Sequence, residues 1–265
     1  MKLRTLNLFL ALAMVAPAWA QRAEPLPKEL EGVGIEERPG AQVPLNAEFF
    51  DEDGKTVRLS ELFHGKPAIL TLVYYRCPML CGLVLQGVLE GLKGLPGTVG
   101  EDFNVITISI DPLETPTLAK LKKQSYLAEY GRPGAGPGWR FLTGKEEEIR
   151  KVADAVGFFY KWNPERQEYA HGAGIFVLTP NGKVARTLYG VLFEPRTLKL
   201  ALSEAREGKS SLGEKIVLYC FHYDANEGRY VVAATRLMRM GGAATVLTLG
   251  GWLLVAWRRS SRRGA

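Results

Sequence analysis

Residues 68–81 read AILTLVYYRCPMLC, and this stretch decides the fold. Ala68–Tyr75 is a near-continuous β-favouring run, which is typical of a strand buried on both faces. Apolar residues then recur with helical spacing at Leu80, Leu83, Val84, Val88 and Leu92. Three glycines interrupt this pattern, at Gly91, Gly94 and Gly97. A buried strand that leads directly into a helix indicates an α/β protein.

Strands and helices continue to alternate along the chain. The predicted strands are Thr56–Leu59, Phe103–Ile110, Trp139–Leu142, Ile175–Leu178 and Lys183–Tyr189, and the predicted helices are Pro116–Tyr130, Lys145–Val156 and Glu194–Arg206. The last two strands flank Pro180-Asn181-Gly182, a turn typical of a β-hairpin. This order of elements predicts an α/β fold with a mixed central sheet flanked by helices.

Cys77 and Cys81 lie at the predicted junction between strand and helix. Pro78 suits the first helical position, so we expect Cys77 at or beside the N-cap, where free N–H groups favour a thiolate. Cys81 follows one turn later and projects towards the same face. Such a pair can form a disulfide, chelate a soft metal or alternate between these states. Two small buried apolar residues would be the purely structural interpretation.

The two chain ends predict the location of the protein. Residues 1–20 have a basic start, a short apolar run and the small-residue site Ala18-Trp19-Ala20, which is typical of a cleaved signal peptide. Residues 240–257 carry no charge and reach the length of a membrane-spanning helix. The basic tail 258–265 belongs on the cytoplasmic side, so the preceding chain is expected outside. We therefore predict a single-pass protein of the bacterial inner membrane, with its globular domain on the periplasmic side.

These ends also set the predicted domain boundaries and explain the charge. Between them we predict a linker over 21–40, one globular domain over 41–210 and a juxtamembrane segment over 211–239. The net charge of +6 comes from Lys2 and Arg4 and from four arginines of the tail, which leaves residues 21–257 neutral. Nucleic acid is therefore not an expected partner.

At this point the chain resembles a known family, the SCO/SenC proteins. The resemblance covers roughly residues 41–206 and is carried by three features: Cys77-Pro78-Met79-Leu80-Cys81 after a buried strand, Ser109-Ile110-Asp111-Pro112 with Thr115-Pro116, and one histidine before the final hairpin. It implies a thioredoxin-like fold and a copper ion bound by Cys77, Cys81 and His171. It also implies the copper-bearing subunit of cytochrome c oxidase as partner, with other copper chaperones as further candidates.

The sequence departs from the family pattern in two places. The family often has an acidic residue directly before the histidine, where this chain has Ala170. The orientation of the His171 ring must then come from another group. The family also commonly carries an N-terminal anchor, whereas the predicted anchor here is C-terminal, although both place the domain outside.

His171 is expected in a polar loop that includes 161–170. The remaining candidates lie outside the implied ligand set, and of these His64 is interpreted as an exposed loop histidine. Cys220 and His222 share a face if their segment is extended, which allows either a second soft-metal site or a packed aromatic segment near the membrane. Asp111 is expected to cap a strand end or to neighbour the site, without a catalytic role.

Three functions follow from these residues. The first is a copper-binding protein that delivers copper to an oxidase copper centre or reduces its cysteines. The second is a membrane-anchored thiol–disulfide oxidoreductase, with Cys77 attacking, Cys81 resolving and a Cys77–Cys81 disulfide when oxidised. The third, a peroxidase, ranks last because no hydroxyl residue suitably precedes Cys77, although Arg76 is adjacent.

Overall fold

A computed structural model describes residues 31–206, 221–224, 229–232 and 242–252 of the chain. Its strands are β1 (Gly34–Ile35), β2 (Glu48–Phe50), β3 (Thr56–Arg58), β4 (Ala68–Val73), β5 (Asn104–Ser109), β6 (Trp139–Leu142), β7 (Phe158–Asn163), β8 (Glu168–His171), β9 (Gly174–Leu178), β10 (Val184–Tyr189), β11 (Phe221–Asp224) and β12 (Arg229–Val232). Its helices are α1 (Leu80–Lys93), α2 (Pro116–Tyr130), α3 (Glu146–Val156) and α4 (Pro195–Ala205), with a helical segment α5 over 242–252.

A five-stranded sheet forms the centre of the fold, in the order β10-β9-β4-β5-β6. Strands β4, β5 and β6 are parallel, whereas β9 is antiparallel to both β4 and β10. All six residues of β4 and all six of β5 are buried, as expected for inner strands covered on both faces. The prediction of an α/β fold with a mixed central sheet flanked by helices is confirmed.

The elements of this sheet agree closely with the sequence pattern. Helix α2 ends at Gly131, whose φ of 70° is the left-handed conformation that glycine adopts without strain. The β9–β10 hairpin turns at Gly182, whose φ is 75°. The end of α2 and the β9–β10 turn were both predicted, because glycine, asparagine and proline mark turns directly in the sequence.

The start of α1 differs from the prediction. The helix begins at Leu80, after an N-cap at Met79, so Pro78 does not occupy the first helical position. Gly91 also fails to end the helix, which continues to Lys93. A Cβ at Gly91 would lie 2.5 Å from the carbonyl oxygen of Phe193, and one at Gly87 would lie 1.9 Å from that of Val191. These glycines therefore allow close packing of the 191–193 segment on the helix rather than marking its end.

The polar loop predicted before His171 is wrong, because β7 and β8 form an antiparallel hairpin there. The turn between them is closed by Asn163, whose side-chain oxygen accepts hydrogen bonds from the N–H groups of Glu165 and Arg166, at 3.0 and 3.1 Å. The hairpin and its turn contain Lys161, Asn163, Glu165, Arg166 and Glu168, and this polar composition conceals its strand character in the sequence. Strand β1 pairs with β7 and lies within the range predicted as a linker.

The predicted membrane-associated regions are only partly described. Residues 242–252 are helical and lie inside the predicted span 240–257. Over the described residues, no helix combines the length and apolar character needed to cross a membrane. The predicted signal peptide, the ends of the predicted span and the basic tail lie outside the described residues, so these assignments stay predictions.

Candidate metal centre

Three side chains from two separate regions meet beyond the carboxyl end of β4, the middle strand of the central sheet. The sulfur atoms of Cys77 and Cys81 and a ring nitrogen of His171 all lie within 4.8 Å of one another. Within the described ranges this is the single group of His, Cys, Asp and Glu with such geometry. The structure therefore brings together the three residues that the family resemblance implied.

The two cysteines lie on the segment Tyr74–Cys81, which we call the cysteine corner. Cys77 precedes α1, and Cys81 is the second residue of that helix. The Cys81 N–H donates to Cys77 Sγ over 3.3 Å, and the Tyr74 N–H donates to Cys81 Sγ, also over 3.3 Å. Cys77 is not the N-cap, yet a free N–H group of the first helical turn still reaches its sulfur, as expected from the sequence.

This environment gives the two sulfurs opposite acidities. A hydrogen bond from the Cys81 thiol, followed by bonds from the backbone N–H groups of Cys81 and Met79 and from the Tyr74 hydroxyl, lowers the pKa of Cys77 to about 4. The same hydrogen bond between the two sulfurs, together with burial, raises the pKa of Cys81 far above its usual range. Near neutral pH the pair therefore holds one thiolate, at Cys77, stabilised by the Cys81 thiol.

His171 is supplied by the β7–β8 strand pair, which we call the histidine hairpin. Its Nε2 lies 3.1 Å from Cys81 Sγ, and its Nδ1 lies 2.8 Å from the carbonyl oxygen of Gly172. Because a carbonyl oxygen can only accept, Nδ1 must carry a hydrogen. In the neutral ring Nε2 is then the nitrogen without a hydrogen, which is the atom that could bind a metal. Gly172 thus supplies the orienting contact that Ala170 cannot.

Aromatic rings enclose the histidine and separate it from water. Tyr74 lies edge-on to the His171 ring with centroids 6.1 Å apart, and Phe158 lies 5.8 Å away. Tyr74 also connects the two regions, since its hydroxyl contacts Cys77 Sγ and the backbone of Tyr169. His171 is 9% exposed and Cys81 is 2% exposed, whereas Cys77 is half-buried. A reactant or metal therefore meets Cys77 first.

The donor set fits a soft metal ion. Thiolate sulfur and neutral imidazole nitrogen favour Cu(I) or Zn(II), and hard cations prefer oxygen ligands. With ligand bonds of about 2.0–2.3 Å, three atoms around a trigonal ion lie about 3.5–4.0 Å apart. The observed separations are close enough that small side-chain movements would complete such a site.

The other predicted candidates do not join this centre. His64 is an exposed turn residue, as predicted, with a φ of 47°. Asp111 caps the end of β5, because its Oδ1 accepts the Leu113 N–H at 2.9 Å. Cys220 lies outside the described residues, and His222 is described only through its backbone pairing with Val231. A second metal site at Cys220 and His222 therefore stays a prediction.

Two residues that lie beside the centre were not identified as candidates from the sequence. Gly172 orients the histidine through its carbonyl oxygen, which every residue type carries, so no sequence signal could reveal it. Glu114 is buried beneath the cysteine corner and accepts hydrogen bonds from its backbone. Its position in Ser109-Ile110-Asp111-Pro112-Leu113-Glu114, after a buried strand and near Pro112, was a usable signal, because strand ends gather functional groups.

Comparison with known proteins agrees with the fold. A protein of Stutzerimonas stutzeri named "Putative copper-binding protein" is 25% identical over 186 residues, which cover 69% of this chain and 85% of the relative. Two crystal structures from Aquifex aeolicus VF5, titled as putative electron transfer and electron transport proteins, are each 30% identical. The first covers 65% of this chain and 96% of its own with a TM-score of 0.56, and the second 64% and 99% with 0.52.

The family profile described as SCO1/SenC matches residues 36–203. This range contains Cys77, Cys81 and His171, together with the central sheet, helices α1 to α3 and all but the last two residues of α4. The match covers more than half of the chain, and the chain belongs to the SCO1/SenC family.

Proposed function

We propose that the protein binds a copper ion through Cys77, Cys81 and His171 and serves the assembly of the copper centre of cytochrome c oxidase. The observation that carries this proposal is the approach of the three ligand atoms to within 4.8 Å. Family membership and the copper-binding name of the Stutzerimonas relative support copper over zinc. The family resemblance supports the copper-bearing oxidase subunit as partner.

The exposure of the site suits transfer of the ion. Cys77 is half-buried and already a thiolate, so it can receive or release copper at the surface. Cys81 and His171 lie behind it and would complete the ligand set. Bound copper would supply a transferable soft ion and a one-electron couple, and the chain would hold two thiolate ligands and an oriented imidazole.

The proposed location is extracytoplasmic. It is supported by the signal-like residues 1–20, the uncharged residues 240–257 and the four arginines that follow, all read from the sequence. Cys77 and Cys81 are unpaired in the structure, which is the form that can bind copper. Use of this site in an oxidising compartment would therefore require a reductant for the Cys77–Cys81 pair.

Copper titration tests the proposal. The full chain, reduced and titrated with Cu(I) against a chromophoric chelator, should bind one ion tightly at this site. His171→Ala removes a direct ligand and should weaken binding by more than the about 10- to 100-fold typical of losing an outer contact. His64→Ala is the matched control, because it removes an exposed histidine that does not belong to the group of candidate ligands. Absence of stoichiometric binding, or equal binding by His171→Ala and the unchanged protein, contradicts the proposal.

A thiol–disulfide oxidoreductase is the second candidate, supported by the contrast between the two thiols. Cys77 is a half-exposed thiolate and Cys81 a buried thiol, which suits an attacking and a resolving residue. Cys77 would attack a substrate disulfide and form a mixed disulfide, expelling one substrate thiolate. Cys81, once deprotonated, would attack Cys77, releasing the second substrate thiolate and leaving a Cys77–Cys81 disulfide.

Copper binding and disulfide reduction differ in whether they require His171. Reduction of a model disulfide requires both cysteines, so His171→Ala should retain most of the turnover while losing copper affinity. Cys81→Ser should instead accumulate the mixed disulfide at Cys77, which mass spectrometry would detect. Negligible turnover by the reduced protein, with a very low reduction potential for the pair, would count against an oxidoreductase.

A further inference from the structure

Glu114 is a buried carboxylate that is not one of the three proposed metal ligands. Only 5% of the residue is exposed. Its Oε2 accepts the Tyr75 N–H at 2.7 Å and the Ser109 hydroxyl at 2.5 Å, and its Oε1 accepts the Arg76 N–H at 2.7 Å. Among the described residues it forms no salt bridge. Burial of a carboxylate is costly, so a charge that is balanced only by hydrogen-bond donors indicates a specific role.

Those hydrogen bonds act on the chain immediately before the first metal ligand. After β4 the successive N–H groups of Tyr74, Tyr75, Arg76 and Cys77 donate in turn to Cys81 Sγ, Glu114, Glu114 and the Tyr74 carbonyl oxygen. Every backbone donor of this turn is thus satisfied, and two of the four depend on one side chain. Removing that side chain would leave two N–H groups without partners next to Cys77.

The charge of Glu114 also reaches the Cys81 sulfur. The Cys77 sulfur and burial are the main causes that raise the pKa of Cys81, and the negative charge of Glu114 adds to them. Burial raises the pKa of Glu114 itself, while its three donors favour the charged form. The carboxylate is therefore coupled to the site both through the backbone and through its field.

A second buried carboxylate shows the contrast. Glu52 is also 5% exposed and accepts a backbone N–H, that of Phe141, at 2.7 Å. It is paired with two cations, Lys123 at 3.0 Å and Arg140 at 3.0 Å. Glu52 therefore stabilises the fold as part of an ion network, while Glu114 has the cysteine corner as its principal partner.

We propose that Glu114 is a positioning residue of the metal centre, which holds the Tyr75–Arg76 backbone so that Cys77 faces Cys81 and His171. This inference rests on the proposed copper function of the trio. It assigns to the residue no direct contact with the metal. Its effect on copper would arise through the placement of Cys77.

The test uses the full chain with Glu114→Ala, Glu114→Gln and, as matched control, Glu52→Ala. Glu114→Ala should lower Cu(I) affinity about 10- to 100-fold, the usual effect of losing an outer contact to a metal ligand. Glu114→Gln keeps the size and one accepting oxygen but turns an N–H donor towards the backbone, so an intermediate loss is expected. Glu52→Ala should reduce stability yet leave Cu(I) affinity within about twofold, since the hydrogen bonds and ion pairs of Glu52 are with Phe141, Lys123 and Arg140 and not with the backbone before Cys77.

Hydrogen exchange supplies a readout that does not depend on copper. In both Glu114 variants the amides of Tyr75 and Arg76 should exchange faster than in the unchanged protein, with no such change in Glu52→Ala. Unchanged exchange in Glu114→Gln, or an equal loss of Cu(I) affinity in Glu52→Ala, overturns the positioning role. If the unchanged protein binds no copper, the proposed function fails, and exchange at these two amides still decides the role of Glu114.

Discussion

The cysteine corner and the histidine hairpin contribute to one centre by different means. The corner is fixed by the central sheet, by the first turn of α1 and by Glu114. Within it, the backbone N–H of Cys81 donates a hydrogen bond to Cys77 Sγ. The hairpin lies outside the five-stranded sheet and is held by aromatic contacts, with Tyr74 connecting it to Cys77. The soft-ligand pair is therefore built locally, and the nitrogen ligand is added by tertiary packing.

This difference has a functional consequence. The corner alone contains the two cysteines that thiol–disulfide exchange would use, because Cys77 and Cys81 are adjacent. A three-ligand metal centre additionally requires the hairpin to hold His171 at 3.1 Å from Cys81. Perturbing each region separately should distinguish what depends on the pair from what depends on the trio.

The largest effect is expected from the packing that supports the corner. Gly87→Ala places a Cβ 1.9 Å from the Val191 carbonyl oxygen, so α1 or the 191–193 segment must move. We expect a loss of about 3 kcal/mol in the free energy of unfolding, measured by urea denaturation. Gly82→Ala in the same helix meets nothing within 4 Å and should stabilise by about 0.5–1 kcal/mol. Equal stability of the two variants would contradict this packing.

The acidity of Cys77 predicts an unusual alkylation profile. Because its pKa is lowered to about 4, Cys77 stays a thiolate from pH 6 to 9, and its reaction with iodoacetamide should be nearly independent of pH there. In the urea-unfolded chain the same rate should rise about tenfold per unit up to about pH 8.5. Near pH 6 we expect folded Cys77 to react about 100-fold faster than folded Cys81, measured by peptide mapping.

The same shifts set the sign of a stability effect. The lowered pKa of Cys77 contributes stability that is complete above its unfolded pKa and is lost as the pH falls towards about 4. The raised pKa of Cys81 contributes stability that is lost as the pH rises above its unfolded value. The contribution of the pair should therefore be greatest near pH 8–9, about the unfolded pKa. An alkylation rate of the folded protein that follows the unfolded profile would refute both expectations.

The connection between the two regions is tested at Tyr74. Tyr74→Phe keeps the ring contacts with Tyr169 and His171 but removes the hydroxyl that contacts Cys77. We expect the pKa of Cys77 to rise and the free energy of unfolding to fall by about 1 kcal/mol. Tyr169→Phe is the control, because it also loses a hydroxyl from the same cluster. If the two variants give the same Cys77 titration, monitored by thiolate absorbance, the connection through Tyr74 is wrong.

The smallest expected effect lies in the turn of the hairpin. Gln167 has a φ of 52°, a conformation that costs non-glycine residues about 1 kcal/mol. Gln167→Gly should therefore stabilise the protein by about 0.5 kcal/mol and leave Cu(I) affinity unchanged, whereas Gln167→Ala should give no gain. Thermal unfolding followed by circular dichroism measures the difference. A destabilised Gln167→Gly variant would show that the turn is not strained.

Much of the fold was predictable because its signals are local. The buried run Ala68–Tyr75, the Pro180–Gly182 turn and Gly131 each act on their immediate neighbours, and the elements they predict are present. The β7–β8 hairpin was not predictable from its polar composition, since its strand character depends on a partner strand and on a cover of aromatic rings. Gly91 was misinterpreted for a similar reason, because its role is a contact with the distant Phe193.

The sequence by itself determined that two cysteines stand four residues apart where a buried strand meets a helix, because strand and helix patterns are short-range. It also contained the family motifs that implied His171 as the third ligand. Only the tertiary structure decided that His171 reaches Cys81, that Gly172 orients its ring and that Glu114 holds the backbone before Cys77. These contacts join residues that are distant in sequence or use backbone atoms, and neither leaves a periodic pattern in the chain.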